Sequence, residues 1–149
     1  MQQATATASG PVDPITAWGT REGAGPGRSD DVPISFGTAF GTIPSSAQIQ
    51  SIGVSVAACQ DDAMGESFVQ SVQLTRDGAP VGDAVTGTLE THRLTNESQL
   101  FSFDAGMWGA AWSVDDIKTK LGVLIVIGNN EIGDLACHVD SVTADVSFE

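Results

Sequence analysis

Apolar residues alternate with small or polar residues along several stretches of this chain, with the period of two that is typical of a β-strand. The clearest stretch covers residues 47–60, where one face of the predicted strand is apolar and the other carries the small residues Gly53, Ser55 and Ala57. The apolar positions are Ile52, Val54, Val56 and Ala58. Small residues on the second face allow another layer or a neighbouring backbone to approach closely.

A β-hairpin follows this strand. Residues 67–76 alternate again, and the dipeptide Asp77-Gly78 then supplies a typical hairpin turn. The return strand is predicted at residues 80–88, with Pro80 just outside the ladder because proline has no N–H to donate. Further strands are predicted at residues 32–36, 99–103, 123–127 and 135–148.

Two of these strands have special patterns. Residues 123–127 are apolar at every position, which is typical of a central strand covered on both sides. In residues 135–148 the apolar positions change parity between Val139 and Val142, so a β-bulge near Asp140 is required if both sets face one core. At such a bulge the Asp140 carboxylate is expected to accept hydrogen bonds from otherwise unpaired N–H groups.

The segment from residue 103 to residue 128 contains two of the three tryptophans. Trp108, Gly109 and Trp112 are predicted to form an irregular loop whose rings pack into the core. The alternative is that the two rings form a stacking platform for a glycan or a plug between subunits.

One short helix is predicted directly after this loop. Ser113 is a suitable N-cap, and Asp115 and Asp116 place negative charge in the first turn, where it suits the helix dipole. Asp116 is expected to interact with the helix start. The helix is expected to end near Lys120, because a β-type run begins at Leu121.

The first 31 residues are rich in Ala, Thr, Ser, Gly and Pro, and they show no apolar period of either a helix or a strand. We predict an extended N-terminal arm (residues 1–31) that precedes a sandwich domain (residues 32–149) and lies on another subunit or a neighbouring protein. The partner-binding residues expected in the arm are Ile15, Trp18, Arg21 and Arg28. The alternative is that the arm folds back onto its own domain.

A chain of 149 residues is the size of one ordinary domain with a single core. The segments above amount to about seven or eight strands and one short helix. The predicted fold class is therefore all-β, an antiparallel β-sandwich with an N-terminal arm.

The formal charge of −13 opposes extended contact with nucleic acid or an anionic membrane surface, so neither is expected as a partner. It would attract a basic protein surface, although the same charge also serves solubility alone. The N-terminal sequence has no secretory signal pattern and no apolar run approaches the length of a membrane span. Cys59 and Cys137 are expected to be free thiols.

No pattern of catalytic residues stands out, and we expect no enzyme activity, no cofactor and no metal. His92 and His138 do not have the spacing of a zinc site with the two cysteines. Three carboxylates in residues 61–66 lack the spacing of a calcium-binding loop, so a solvated loop is favoured over a Ca²⁺ site.

A linked series of short motifs resembles a pattern found in bacteriophage virion proteins. The series consists of a Trp-Gly-x-x-Trp loop, an Asp-Ile helix, a Gly-Val strand and a Val-Asp-x-Val ending. Its matching positions are Met107, Trp108, Gly109, Trp112, Asp116, Ile117, Leu121, Gly122, Val123, Val139, Asp140 and Val142. The resemblance covers roughly residues 51–149 and implies a jelly-roll-like sandwich.

The resemblance also implies a function. Proteins of this kind look like capsid decoration or cement proteins, which implies a virion structural protein on the outer surface of the assembled head. The implied partners are the major capsid protein and copies of the chain itself, as a homotrimer. The protein would be made in the host cytoplasm and not secreted. The alternative is a tail- or fibre-associated module that binds carbohydrate or a host receptor.

Overall fold

The computed structural model describes residues 1–20 and 27–149. Within these residues the chain forms ten strands and two short helices. The strands are β1 (Gln2–Ser9), β2 (Ile15–Ala17), β3 (Gly27–Arg28), β4 (Val32–Ser35), β5 (Ile49–Gln60), β6 (Ser67–Arg76), β7 (Ala79–Thr86), β8 (Gln99–Asp104), β9 (Leu121–Asn129) and β10 (Leu135–Phe148). The helices are α1 (Leu89–His92) and α2 (Val114–Thr119). Among the described residues, no helix has the length and apolar character needed to span a bilayer.

The strands form two antiparallel sheets that pack face to face. The first sheet has the order β1-β10-β5-β8, with β2 also paired to β10. The second has the order β3-β9-β6-β7, with β4 also paired to β9. If β1 and β2 are taken as one interrupted strand, and β3 and β4 as another, the order is that of an eight-stranded jelly roll. The predicted all-β, jelly-roll-like sandwich is confirmed.

The N-terminal segment pairs with strands of its own chain. Residues Gln2 to Ser9 pair with β10 of the same chain, and residues Ile15 to Ala17 continue that pairing at Leu135 to Cys137. Gly27 and Arg28 pair with β9 in the second sheet. The expectation of an arm docked elsewhere is therefore corrected, because residues 2–17 supply an edge strand of the first sheet and residues 27–28 begin one of the second.

The pairing of β1 has a simple chemical basis. Alanines at positions 4, 6 and 8 face the core, and threonine or serine at positions 5, 7 and 9 faces outward. This is a strand alternation of period two in which alanine is the apolar residue. Because alanine is only weakly hydrophobic, this alternation was not recognised among the other small residues of the segment.

The remaining strands agree closely with the sequence pattern. The hairpin turns at Asp77 and Gly78, which both have positive φ, as a type I′ turn requires. The register of β10 against β5 shifts between Val139 and Ser141, so the predicted bulge at Asp140 is confirmed. A second helix, α1, was not predicted. Helix α1 begins with a capping box, in which the side-chain oxygens of Thr88 and Thr91 each accept a hydrogen bond from the other residue's backbone N–H.

The core lies between the sheets and runs along their whole length. The central strand β9 contributes inward side chains that are fully buried, and its outer face is largely covered as well. These inward side chains are Leu121, Val123, Ile125 and Ile127.

Candidate interaction surface

The loops that connect the strands at one end of the sandwich are tied together by a buried amide. Asn129 is 1% exposed. Its Nδ2 donates to the carbonyl oxygens of Ala17 and Gly133, each at 2.8 Å, and its Oδ1 accepts from the N–H of Glu131 at 2.8 Å. One side chain therefore fixes both the turn after β2 and the turn between β9 and β10.

Further hydrogen bonds join the same two turns. The N–H of Gly19 donates to Asp134 Oδ1 at 2.8 Å, and the N–H of Thr20 donates to the Glu131 carbonyl oxygen at 2.6 Å. A side chain at Gly19 would overlap the Ile132 carbonyl, so only glycine allows this approach. Trp18 and Ile132 are consequently held on adjacent turns.

The connection between β5 and β6 joins this end as well. The N–H of Asn130 donates to the Glu66 carbonyl oxygen at 3.0 Å, and Asn130 Nδ2 lies 3.3 Å from Glu66 Oε2. Within the same connection, Asp62 Oδ1 accepts from the N–H of Met64 at 2.9 Å. We call the surface formed by residues 18–20, 61–66 and 130–134 the loop end.

Three large apolar side chains are exposed at the loop end. Trp18 is 39% exposed, Met64 81% and Ile132 88%. The same turns also carry five carboxylates, namely Asp61, Asp62, Glu66, Glu131 and Asp134. Protein interfaces commonly combine exposed apolar side chains with polar or charged neighbours, and here the charged neighbours are acidic. The loop end is therefore suited to a partner that offers apolar and basic groups.

The structure separates the predicted partner-binding residues. Trp18 lies at the loop end. Ile15 pairs with Cys137 and packs against the core, so it is mainly structural. Arg28 is exposed on β3 in the second sheet. Arg21 lies outside the described residues.

Met64 and Ile132 were missed by the sequence analysis. Each is a large apolar residue inside a short polar turn, next to carboxylates or amides. Both positions could have been predicted as exposed, because a short polar turn cannot bury a large apolar side chain.

Trp108 closes the opposite end of the sandwich. Its side chain is fully buried, and its Nε1 donates to the Ile52 carbonyl oxygen at 2.6 Å. The backbone of this loop adopts positive φ at Gly106, Trp108 and Gly109, with values of 61°, 56° and 69°. Two glycines flanking Trp108 let the chain turn sharply enough to point the ring inward.

Trp112 packs against the same loop. Its Nε1 donates to the Met107 carbonyl oxygen at 3.1 Å, and the Arg76 guanidinium lies 4.7 Å from its ring centroid. Trp112 is only 6% exposed. With one tryptophan buried and the other covered by Arg76, this loop offers no aromatic face for stacking.

Asp116 fixes the start of α2. The N–H of Ser113 donates to Asp116 Oδ2 and the N–H of Asp116 donates to Ser113 Oγ, each at 3.1 Å. Partial burial alone would raise the pKa of Asp116, but the Ser113 hydrogen bonds, with Arg76 and Lys120 nearby, outweigh it and hold that pKa below its ordinary value. Arg76 Nε lies 3.3 Å from Asp116 Oδ2, close enough for an ion pair although its N–H is poorly aligned for a hydrogen bond.

Titratable groups also gather on the outer face of the first sheet. His138 Nε2 lies 2.8 Å from Asp61 Oδ1, and Cys59 is the cross-strand partner of His138. Burial, followed by the charges of Asp140 and Asp61, raises the pKa of the Cys59 thiol. A raised pKa lowers the thiolate fraction, so this cysteine is not activated as a nucleophile. Both cysteines are free.

Asp140 plays a different part from the one expected. Its backbone carbonyl, rather than its exposed carboxylate, accepts the hydrogen bond at the bulge, from the N–H of Gly10 at 3.0 Å. Among the described residues, no group of three or more His, Cys, Asp or Glu side chains is arranged to hold a metal ion.

Comparisons with known proteins give likenesses of structure only. No family model and no curated protein matches the sequence. Among solved structures, the infectious bursal disease virus VP2 subviral particle matches with a TM-score of 0.49 and 9% identity, over 97% of this chain and 32% of that chain. The Gx strain of the same virus matches with a TM-score of 0.49 and 12% identity, over 98% of this chain and 33% of that chain.

A plant virus protein is also similar. The coat protein of tobacco streak virus matches with a TM-score of 0.37 and 8% identity, over 97% of this chain and 84% of that chain. The present chain spans about a third of the length of the infectious bursal disease virus proteins. These likenesses are too distant to support a functional conclusion.

Proposed function

We propose that this chain is a structural protein of a virus particle, a decoration or cement protein that binds the outside of an assembled bacteriophage head and stabilises it. Its partners would be the major capsid protein and further copies of the chain, arranged as a homotrimer. The chain would be made in the host cytoplasm and incorporated into the virion.

The strand order carries this proposal. The sheets β1-β10-β5-β8 and β4-β9-β6-β7 have the order of an eight-stranded jelly roll, an architecture used by viral capsid domains and by lectins. The linked motifs around Trp108, Trp112 and Asp116 favour the virion alternative, because together they resemble a phage pattern. The fold alone would not distinguish the two functions.

The loop end supplies the contact surface in this proposal. Trp18 and Ile132 are the apolar anchors, and the surrounding carboxylates favour a basic surface on the head. A single weak contact of this kind is sufficient, because many copies that each bridge neighbouring capsid subunits stabilise the shell together.

The first prediction concerns binding to heads. Purified chain is added to heads assembled without it, and the bound fraction and the temperature of head disruption are measured. We expect the wild type to bind and to raise that temperature. The double variant Trp18→Ala/Ile132→Ala should bind at least about tenfold more weakly, since loss of two interface anchors typically costs more than about 1.4 kcal/mol.

Val12→Ala is the matched control for this experiment. Val12 is 97% exposed but lies between β1 and β2, away from the loop end. It should bind like the wild type. Absence of wild-type binding would contradict the proposed function, and equal loss in the control would contradict the assignment of the loop end. Thermal melting of each variant confirms that it is folded.

A second candidate function is carbohydrate binding by a tail- or fibre-associated module. Trp18 favours it, because this ring is partly exposed beside Asp134 and Glu131, and sugar sites commonly combine an aromatic face with carboxylate acceptors. The buried Trp108 and Trp112 cannot serve this purpose.

The second prediction separates the two functions on a glycan array. A decoration protein should bind no glycan specifically. A carbohydrate-binding module should bind a defined glycan as wild type and lose at least about tenfold in affinity as Trp18→Ala. Trp112→Ala is unsuitable for this test, because its ring is packed under Arg76 and its loss would disturb the fold.

A further inference from the structure

The strand β8 forms one edge of the first sheet. Among the described residues it pairs with β5 alone, and no backbone hydrogen bond joins its other side to a neighbouring segment. An edge strand of this kind presents a row of unpaired N–H and C=O groups to another chain. The edge of β8 is therefore open to the addition of a further strand.

The register shows which backbone groups of β8 are unpaired. The N–H of Ile52 donates to the carbonyl oxygen of Gly106, just after β8, at 2.9 Å, so the even-numbered residues of β5 direct their backbone groups towards β8. In the ladder these residues lie opposite the odd-numbered residues of β8. The N–H and C=O groups of Leu100, Ser102 and Asp104 consequently point away from β5, to the free side.

The other edges of the two sheets are less suited to strand addition. On β7, Pro80 has no N–H to donate, and the N–H of Asp83 already donates to the Trp108 carbonyl oxygen at 2.7 Å. The strand β4 contains Pro33, and β3 has only two residues. The side chains of β1 are alanine, threonine, serine and glutamine, which offer no large apolar group.

By contrast, β8 carries apolar side chains that an added strand would contact. Leu100 is 66% exposed and lies opposite Ala57, which is too small to cover it. Phe101 faces the other way and is half-buried, with its ring centroid 5.8 Å from that of His92. Because side chains alternate between the faces of a strand, an added segment would place one side chain beside Leu100 and the next beside Phe101. The partner segment should therefore be apolar at its centre.

Carboxylates lie at both ends of this edge. Glu97 is exposed just before β8, and the exposed Asp104 ends the strand. Arg93 is the only lysine or arginine between residues 77 and 117, and its Nη2 donates to the Gly65 carbonyl oxygen at 3.2 Å, at the loop end. The whole chain also carries a net charge of −13. Charge complementarity therefore favours a partner segment with basic ends.

We propose that β8 binds an extended segment of another protein by strand addition, and that this segment has an apolar centre and lysine or arginine at its ends. Its backbone bonds the free groups of Leu100 and Ser102. Its basic ends lie near Glu97 and Asp104. This site is separate from the loop end, and the inference does not rest on the proposed function.

The third prediction is tested with the purified full chain and the capped peptide Lys-Thr-Val-Val-Val-Thr-Lys, whose sequence is the same in both directions. Fluorescence anisotropy of the labelled peptide should show saturable binding that weakens with salt. The same peptide with glutamate at both ends should bind at least about tenfold more weakly. Leu100→Ala should weaken binding of the lysine peptide at least about fivefold, because it removes the exposed apolar contact.

Amide hydrogen exchange identifies the mode of binding. The peptide should slow the exchange of the Leu100 and Ser102 N–H groups at least about tenfold, because they become bonded only in the complex. The N–H groups of Phe101 and Phe103 bond β5 and should exchange slowly with or without peptide. A basic peptide that adheres to the acidic surface without forming a strand would not give this pattern.

A proline substitution tests the free side of β8 directly. Ser102→Pro removes an N–H from that side and none from the ladder with β5, so it should weaken peptide binding at least about tenfold. Thr7→Pro is the matched control, because Thr7 is an exposed hydroxyl residue on β1, the opposite edge of the same sheet. It should bind the peptide like the wild type. Thermal melting confirms that each variant is folded, and the exchange pattern and Leu100→Ala keep the test valid if Ser102→Pro proves unstable.

Four results would overturn the inference: a wild type that does not bind the lysine peptide, equal binding of the glutamate peptide, binding without slower exchange at Leu100 and Ser102, or equal loss in Ser102→Pro and Thr7→Pro. A chain that binds the peptide at β8 but does not bind heads would contradict the proposed function and leave the inference standing. A chain that binds heads but not the peptide would do the reverse.

Discussion

Two buried amide side chains, Asn129 and Gln60, hold the turns of the loop end in place. Gln60 is 1% exposed, its Nε2 donates to the Gly65 carbonyl oxygen at 2.9 Å, and its Oε1 accepts from the N–H of Ser67 at 3.3 Å. Asn129 has the same role between the turn after β2 and the turn that joins β9 to β10. Buried amides are costly unless they are bonded, so each of them specifies one arrangement of its turn. The positions of Trp18 and Ile132 at the loop end thus depend on buried amides, which themselves contact no partner.

A fourth prediction belongs to the opposite end, at Asp116. Asp116→Ala removes the capping interaction with Ser113 and should lower the free energy of unfolding at pH 7 by about 1–3 kcal/mol. The pKa of Asp116 is lowered in the fold from its ordinary value of 3.8. The stabilisation is therefore present above that value and is lost as the pH falls through the lower, folded-state pKa. The difference between wild type and variant should shrink below about pH 4.

Asp115→Ala is the control for this measurement by denaturant unfolding. It removes the same charge from the first turn of α2. Of the two aspartates, however, only Asp116 forms the capping box with Ser113. It should cost clearly less. A difference between wild type and Asp116→Ala that stays constant with pH would show that the carboxylate charge of Asp116 does not contribute.

At the scale of elements, β1 is the strand that differs most from the sequence-based prediction, which placed it in an N-terminal arm. It pairs with β10 along its whole length, from Gln2 opposite Phe148 to Ser9 opposite Ser141. Its inward side chains are alanines, which bury little area and provide little driving force on their own. The strand is held by its backbone ladder and by outward hydroxyls, including Thr7 Oγ1 at 2.8 Å from Thr143 Oγ1. Deleting the first 31 residues would remove strands from both sheets, so point substitutions are the better test.

The fifth prediction compares two neighbouring positions of β1. Ala6 is 8% exposed and faces the core, whereas Thr7 faces solvent. Ala6→Asp buries an unpaired charge and should destabilise the chain by about 3 kcal/mol or more, or detach β1. Thr7→Asp replaces the Thr7 hydroxyl by a carboxylate that can still accept from Thr143 Oγ1, so it should cost no more than about 1 kcal/mol.

Thermal unfolding and amide hydrogen exchange of β10 report the outcome of this comparison. Loss of protection along β10 in Ala6→Asp alone is the expected result. Similar, near-neutral effects of both substitutions would mean that residues 2–9 do not pair with the sheet in solution.

At the scale of the whole molecule, charge is distributed unevenly over the surface. The loop end is apolar with an acidic rim, which suits a basic partner and predicts binding that weakens with salt. On the outward side of the second sheet, the paired positions of β9 and its neighbours carry no carboxylate among the described residues. The outer face of the first sheet is lined by small hydroxyl residues and aspartates, such as Ser55, Ser102 and Asp145.

The sequence by itself determined those parts of the fold that depend on local pattern. Alternation predicted most strands from residue 32 onward, and a continuous apolar run predicted the central strand at residues 123–127. The Asp77-Gly78 dipeptide predicted the hairpin, and the change of parity around Asp140 predicted the bulge. Ser113 and Asp116 predicted the start of α2. Each of these signals acts between residues that are close along the chain, so it can be recognised without knowing what packs against it.

Tertiary structure alone decided where the N-terminal segment and the exposed side chains lie. The Ala-Thr alternation of β1 becomes a strand only because β10 offers an unpaired edge to it, more than a hundred residues away. Trp18 and Ile132 are held on adjacent turns through Asn129, and Arg28 is carried to the other sheet. These outcomes depend on contacts between distant segments, whose register is fixed by the packing of both sheets and not by any local pattern.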